Sequence, residues 1–152
     1  MNFKYRRYLV EMFDGAHLTE IYRPIVPLVI NGPKGSLRIR PLLDSGSDFT
    51  LFPLSVAEVI GIEVHRDRIG AVGGIEGGSL ATYPGNVELE LSDNVESCRW
   101  TTTIYFSASN NMLLGHLGAL EYFTVTLNHY ERTFSLEPNE VFPGQTETHL
   151  KH

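Results

Sequence analysis

Apolar positions along this chain fall into short runs cut by Gly, Pro and Asn. Residues 25–30 (Ile-Val-Pro-Leu-Val-Ile) and 37–43 (Leu-Arg-Ile-Arg-Pro-Leu-Leu) form two such runs. Between them, Asn31-Gly32-Pro33-Lys34-Gly35-Ser36 has the length and residues of a hairpin connection. Pro27 has no N–H for a ladder, so it predicts an edge position or a bulge. Val87-Glu88-Leu89-Glu90-Leu91 alternates strictly, the mark of a strand with one face buried. Ser92-Asp93-Asn94 supplies a turn after it. Residues 100–106 are rich in Thr, aromatic and β-branched side chains and predict another strand. Residues 124–127 and 133–136 flank Asn128–Arg132 and predict a late hairpin with a longer loop. Two stretches read as helical. Residues 53–60 open with Pro, which suits a first turn, and stop at Gly61, which suits a C-terminal cap. Residues 117–123 are the shorter candidate. Residues 5–13 read as a strand within a first segment of no clear period, and 139–152 read as a polar tail. The pattern predicts an all-β chain with one or two short helices. Strands and helices do not alternate over the lengths a Rossmann-type sheet needs.

Length and composition narrow the classes. A chain of 152 residues suits one domain with one core. Acids exceed bases 18 to 12, for a formal charge of −6, which argues against nucleic-acid binding and adhesion to anionic membranes. Cys98 is the only cysteine, so no intrachain disulfide and no paired-cysteine zinc site can form. No apolar run approaches membrane-spanning length. The first ten residues carry three basic residues but no continuous apolar core, so no signal peptide is expected and a cytoplasmic setting is.

The densest chemistry lies in Pro41-Leu42-Leu43-Asp44-Ser45-Gly46-Ser47-Asp48-Phe49-Thr50-Leu51-Phe52-Pro53. An apolar strand runs straight into Asp-Ser-Gly. The carboxylate of Asp44 would stand where strand pairing stops, Gly46 permits a backbone turn that a side chain would obstruct, and Ser45 offers a hydroxyl. The tripeptide alone is also an ordinary Asx turn; composition gives roughly 0.1 chance occurrences in a chain of this length. Two downstream features add context. Ala71-Val72-Gly73-Gly74-Ile75-Glu76-Gly77-Gly78-Ser79 holds four glycines in six residues, and Met112-Leu113-Leu114-Gly115 is an apolar run that ends in Gly before the second helical candidate.

In this order, apolar run with Asp-Ser-Gly-Ser, glycine cluster, Leu-Leu-Gly and closing hairpin, the sequence resembles the retropepsin-like aspartic proteases, above all the single-domain bacterial and retroviral type. The resemblance covers about residues 23–138. It leaves 1–22 as an N-terminal extension and 139–152 as a C-terminal tail. It implies a closed β-barrel that works as a homodimer on an extended peptide or protein substrate, with no cofactor and no metal. Two carboxyls sharing one proton around a water are what such hydrolysis needs, since like charges that close cannot both ionise. The chain holds one Asp-Ser-Gly, so each of two chains would supply one Asp44 across a two-fold axis. By the resemblance, Ser45 and Gly46 support the active-site turn, the Ser45 hydroxyl bonding to the partner's turn. Ser47, Asp48, Val72, Gly73, Gly74 and Ile75 line the cleft, with the glycine cluster as a flap. His116 and Leu117 follow Leu-Leu-Gly where many members carry Arg, so a family ion pair is not expected there. The competing reading is an inactive peptide-binding or dimerisation module of the same fold, and a third is an unrelated barrel with a chance turn.

The remaining features read more plainly. Six histidines show no His-x3-His or His-Glu-x-x-His spacing and are assigned to surface or packing. Cys98 reads as a structural thiol, Trp100, Tyr105 and Phe106 as core or interface, and Glu76 and Asp48 as exposed charges that could meet polar substrate groups. The glycine cluster opens no helix and is followed by no P-loop lysine, so it is not a nucleotide fingerprint.

Overall fold

A computed structural model of the chain describes residues 1–13, 15, 17–73 and 79–149, with the side chains of 71–73 left aside. Among the described residues the chain is all-β with one short α-helix. In order, the strands are β1 (Asn2–Lys4), β2 (Arg6–Glu11), β3 (Leu18–Arg23), β4 (Leu28–Gly32), β5 (Gly35–Ile39), β6 (Leu42–Leu43), β7 (Leu51–Pro53), β8 (Gly70–Gly73), β9 (Ser79–Ser92), β10 (Glu96–Ser107), β11 (Leu113–Leu114), β12 (Phe123–Asn128), β13 (Thr133–Pro138) and β14 (Gln145–Thr148). The helix α1 (Leu54–Ile60) follows β7.

The main sheet runs β5-β4-β9-β10-β7-β11-β6, with β8 added to β9 and β14 to β10. Its backbone is the long β9–β10 hairpin, paired antiparallel from Ser97↔Ser92 to Ser107↔Thr82. The alternation at 87–91 explains its facing: Val87, Leu89 and Leu91 are buried, while Glu88 and Glu90 point outward. They share one core cluster with Leu28, Ile30, Trp100, Ile104, Phe106 and Phe52. At the far edge, Ile25, just before β4, bridges Leu42 of β6. Val26 donates its N–H to the Pro41 carbonyl at 2.9 Å, and Leu43 donates to Pro24 at 2.9 Å. A second sheet, β1-β13-β12, holds the late hairpin, and β2–β3 stand apart as a two-stranded ribbon.

Several local expectations are met and several are revised. The hairpin at 25–43 forms, and Pro27 lies just before β4 instead of making an edge or bulge within it. Pro53 sits at the N-cap of α1, one place ahead of the first helical turn, and Gly61 closes the helix at φ 73°. The candidate helix at 117–123 shrinks to one 3-10 turn, Leu120–Tyr122. The reason is Gly118, whose φ of 89° no helix accommodates and whose added Cβ would lie 2.8 Å from the Thr103 carbonyl oxygen. The two ends are also more ordered than their composition suggests. β1 pairs with β13, and β14, in the expected tail, pairs with β10 from Glu96↔Thr148 to Arg99↔Gln145. Phe142 joins Trp100 and Phe123 in a three-ring cluster with centroids 5.3–5.8 Å apart. Cys98 is buried opposite Leu91, and desolvation pushes its thiol up to about 12, which makes it inert as a nucleophile. Among the described residues, no helix is long and apolar enough to cross a membrane.

Candidate active site

The position of Asp44 is set by two very short parallel strands. Leu42 pairs with Leu113 and Leu43 with Leu114, so both strands end at the same level and Asp44 and Gly115 emerge side by side. The Asp44 N–H donates to the Leu114 carbonyl at 3.1 Å, continuing the ladder by one bond. The chain then turns at once. The Ser47 N–H donates back to the Asp44 carbonyl at 3.1 Å, and the Gly46 N–H donates to Asp44 Oδ1 at 2.9 Å. An N–H aimed at a carboxylate oxygen fixes its rotamer. Asp44 is half-buried, with Ser45 and Gly46 exposed beside it. A Cβ on Gly46 would stand 3.2 Å from that same oxygen, close enough to disturb it.

Beyond the turn the chain passes over β11 and returns on its other side as β7, where Leu51 pairs antiparallel with Leu113. The crossing is held by three contacts with the segment after Leu114. His116 donates its backbone N–H to Ser47 at 3.0 Å, Leu117 donates to Asp48 at 2.9 Å, and Phe49 bridges Leu117. The approach is so close that a Cβ on Gly115 would lie 2.2 Å from the Phe49 carbonyl oxygen. Glycine at 115 is therefore a steric requirement of the crossing.

Two residues that sequence reasoning did not assign to the site support it. Thr50 is fully buried. Its hydroxyl accepts the Gly115 N–H at 3.2 Å and faces the Gly115 carbonyl at 3.4 Å. A polar residue inside the apolar run 49–52 was the available signal, since a buried hydroxyl must find partners. His116 is exposed, and its Nε2 lies 2.7 Å from the Ser45 carbonyl. A carbonyl only accepts, so Nε2 carries the proton in this contact.

The expected cleft residues divide. Ser47 turns its hydroxyl inward to donate to the Phe49 carbonyl at 2.8 Å, and Asp48 is exposed. Val72 and Gly73 lie in β8, opposite Leu80 and Ser79 of β9. Gly74, Ile75 and Glu76 lie outside the described residues.

The chain matches no family model and no curated protein. The chain is similar to EIAV protease complexed with the inhibitor HBY-793, at 20% identity and a TM-score of 0.47, over 62% of this chain and 82% of that one.

Proposed function

We propose that the chain is an aspartic endopeptidase that works as a homodimer. A water held between the Asp44 carboxyls of two chains attacks the carbonyl of an extended peptide. The ionised carboxyl takes the water's proton while the protonated one donates a hydrogen bond to the carbonyl oxygen. In this reading the main sheet is a closed barrel whose seam is the Ile25–Leu42 bridge, and the β8–β9 hairpin is the stem of a flap over the substrate. The observation that carries the proposal is the placement of Asp44. A carboxylate oriented by the Gly46 N–H, half-open to solvent, sits at the mouth of two parallel strands that share one level. One chain offers half of the required pair.

Replacing Asp44 by Asn tests it. The amide oxygen can still accept the Gly46 N–H, so the fold should hold, while the general base is gone. Peptidase activity should fall by about 10³-fold or more, in line with loss of an acid–base group and its electrostatic role. Mixing wild-type and Asp44→Asn chains in equal parts then reads the assembly. Random exchange should leave about a quarter of the wild-type activity. Half the activity after proven exchange would place a complete site within each chain. Unchanged turnover in the pure variant would favour the inactive-module reading of the fold and some other source of the hydrolysis.

A further inference from the structure

The β2–β3 ribbon pairs only with itself, from Arg6↔Arg23 to Glu11↔Leu18, and among the described residues no other strand covers either outer edge. A hairpin of two strands is marginally stable in water by itself. Residues 6–23 contain no Pro and no Lys, the residues that commonly keep an exposed edge from pairing. The ribbon also holds four of the eleven large apolar side chains that stand exposed among the described residues: Leu9, Met12, Phe13 and Leu18. Period two puts Arg7, Leu9 and Glu11 of β2 on one face with Leu18, Glu20 and Tyr22 of β3. On that face Leu9 is 59% exposed, and Arg7 donates to Glu20 at 3.0 Å. Glu11 is exposed and has no ion-pair partner among the described residues.

The order of charges along β2 suits pairing with a copy of itself. A two-fold axis normal to a sheet sets two antiparallel copies of one strand about a single residue. About Leu9, the facing pairs are Leu9 with Leu9, Tyr8 with Val10, and Arg7 with Glu11. An apolar centre then has an Arg–Glu pair on each side. About Tyr8 or Val10 no opposite charges meet. On β3, an axis through Glu20 sets two carboxylates face to face, and one through Ile21 sets Glu20 opposite Tyr22 and Arg23 opposite Thr19. We infer that a second copy of this chain docks along the free edge of β2, in the register centred on Leu9. The product is a four-stranded sheet, β3-β2-β2-β3, across the two-fold. Main-chain hydrogen bonds along the edge supply affinity, and Leu9 with the two Arg7–Glu11 pairs fixes the register. The inference rests on the homodimer of the proposed reading and names the surface that joins it.

Disulfide trapping and sedimentation of the full chain test it. Directly opposite residues of an antiparallel pair lie about 4.5–5.5 Å apart at Cα, within disulfide reach. Leu9→Cys should therefore cross-link two chains in oxidised glutathione. Arg7→Cys should not, because four residues of strand rise put it more than about 13 Å from its copy. The native thiol gives no background, since Cys98 is buried and its pKa is pushed up to about 12. Leu9→Asp sets two carboxylates face to face and should raise the dimer dissociation constant at least about ten-fold. Arg7→Glu should do the same, and adding Glu11→Arg to it should restore association to within about three-fold of wild type. All three side chains are exposed, so the fold is not at stake. A chain that stays monomeric, no cross-link at Leu9→Cys, or a double swap as weak as Arg7→Glu would overturn the inference. So would a monomer that sediments with phosphatidylserine vesicles through Leu9 and Phe13, which would give the edge to a lipid surface. A dimer that obeys the Leu9 variants but hydrolyses no peptide would sink the protease reading and leave this surface standing. A hydrolytic dimer indifferent to Leu9→Asp would do the reverse.

Discussion

His116 holds the turn that carries Asp44 at two points, its ring on the Ser45 carbonyl at 2.7 Å and its backbone N–H on the Ser47 carbonyl at 3.0 Å. Its own carbonyl is engaged by the Glu121 N–H at 3.0 Å, so the residue is braced from behind. The ring thus acts as a positioning group for a carboxylate that it does not touch. His116→Phe keeps a ring and loses the donor. It should lower kcat about ten- to a hundred-fold by letting the turn drift, with KM little changed. His116→Gln retains a side-chain N–H and should recover most of the rate. Steady-state kinetics on both variants checks this, and equal losses in the two would count against the hydrogen bond as the cause. The sequence showed His116 only as a departure from a family pattern. Its partner is 71 residues away along the chain, a distance over which local patterns say nothing. Thr50 was hidden differently, because it stands in an apolar stretch and earns its burial only through Gly115.

At the scale of elements, strands with one buried face were legible and strands held by backbone alone were not. Glu88 and Glu90 between Val87, Leu89 and Leu91 wrote their facing into the sequence. In β14 all four residues are exposed, so nothing alternates, and its place comes from pairing with β10. The turn between β9 and β10 shows what a readable motif can carry. Burial alone would raise the Asp93 pKa. The N–H groups of Glu96, Val95 and Asn2, at 2.8, 2.8 and 2.9 Å, outweigh it and hold the carboxyl below its ordinary value. A group depressed in the folded state contributes stability that is fully present above its unfolded pKa of about 3.9. That stability is lost as pH falls through the lower folded value. Asp93→Asn should therefore melt below wild type at neutral pH, and the gap should close in strong acid. Thermal melts across pH 2–7 (about that range brackets the titration) check the sign. A gap that widens toward acid would refute the assignment.

At the scale of the molecule, the three-ring cluster of Trp100, Phe123 and Phe142 joins the main sheet, the three-stranded sheet and the C-terminal segment. Trp100 adds a bond from Nε1 to the Gly118 carbonyl at 3.1 Å, which ties this junction to the segment leading away from Gly115. The packed fold therefore continues to the Asp44 turn, and in the proposed reading the second carboxyl comes from another chain. Activity per chain should rise with protein concentration and level off above the dimer dissociation constant, as mass action requires. Dilution series of specific activity, set beside sedimentation of the same samples, check it. Constant specific activity through the range where dimers dissociate would rule out a shared site. The all-β class and the place of Asp44 were readable from one strand pattern and one tripeptide. The ordering of both termini was not, because it depends on backbone partners far away in sequence.

The crossing of the Asp44 turn over β11 also imposes an order in time. The two halves of this arrangement are separated by 65 residues at Thr50–Gly115 and 71 at Ser45–His116. Closing so long a loop carries an entropic cost that nearby contacts must offset first. A ribosome-bound chain that has emerged only as far as the glycine-rich segment has its aspartate but nothing to hold it. On the proposed reading the hydrolytic centre is thus among the last parts to form, and a nascent or stalled chain would lack it until the strand with Leu113 and Leu114 arrives.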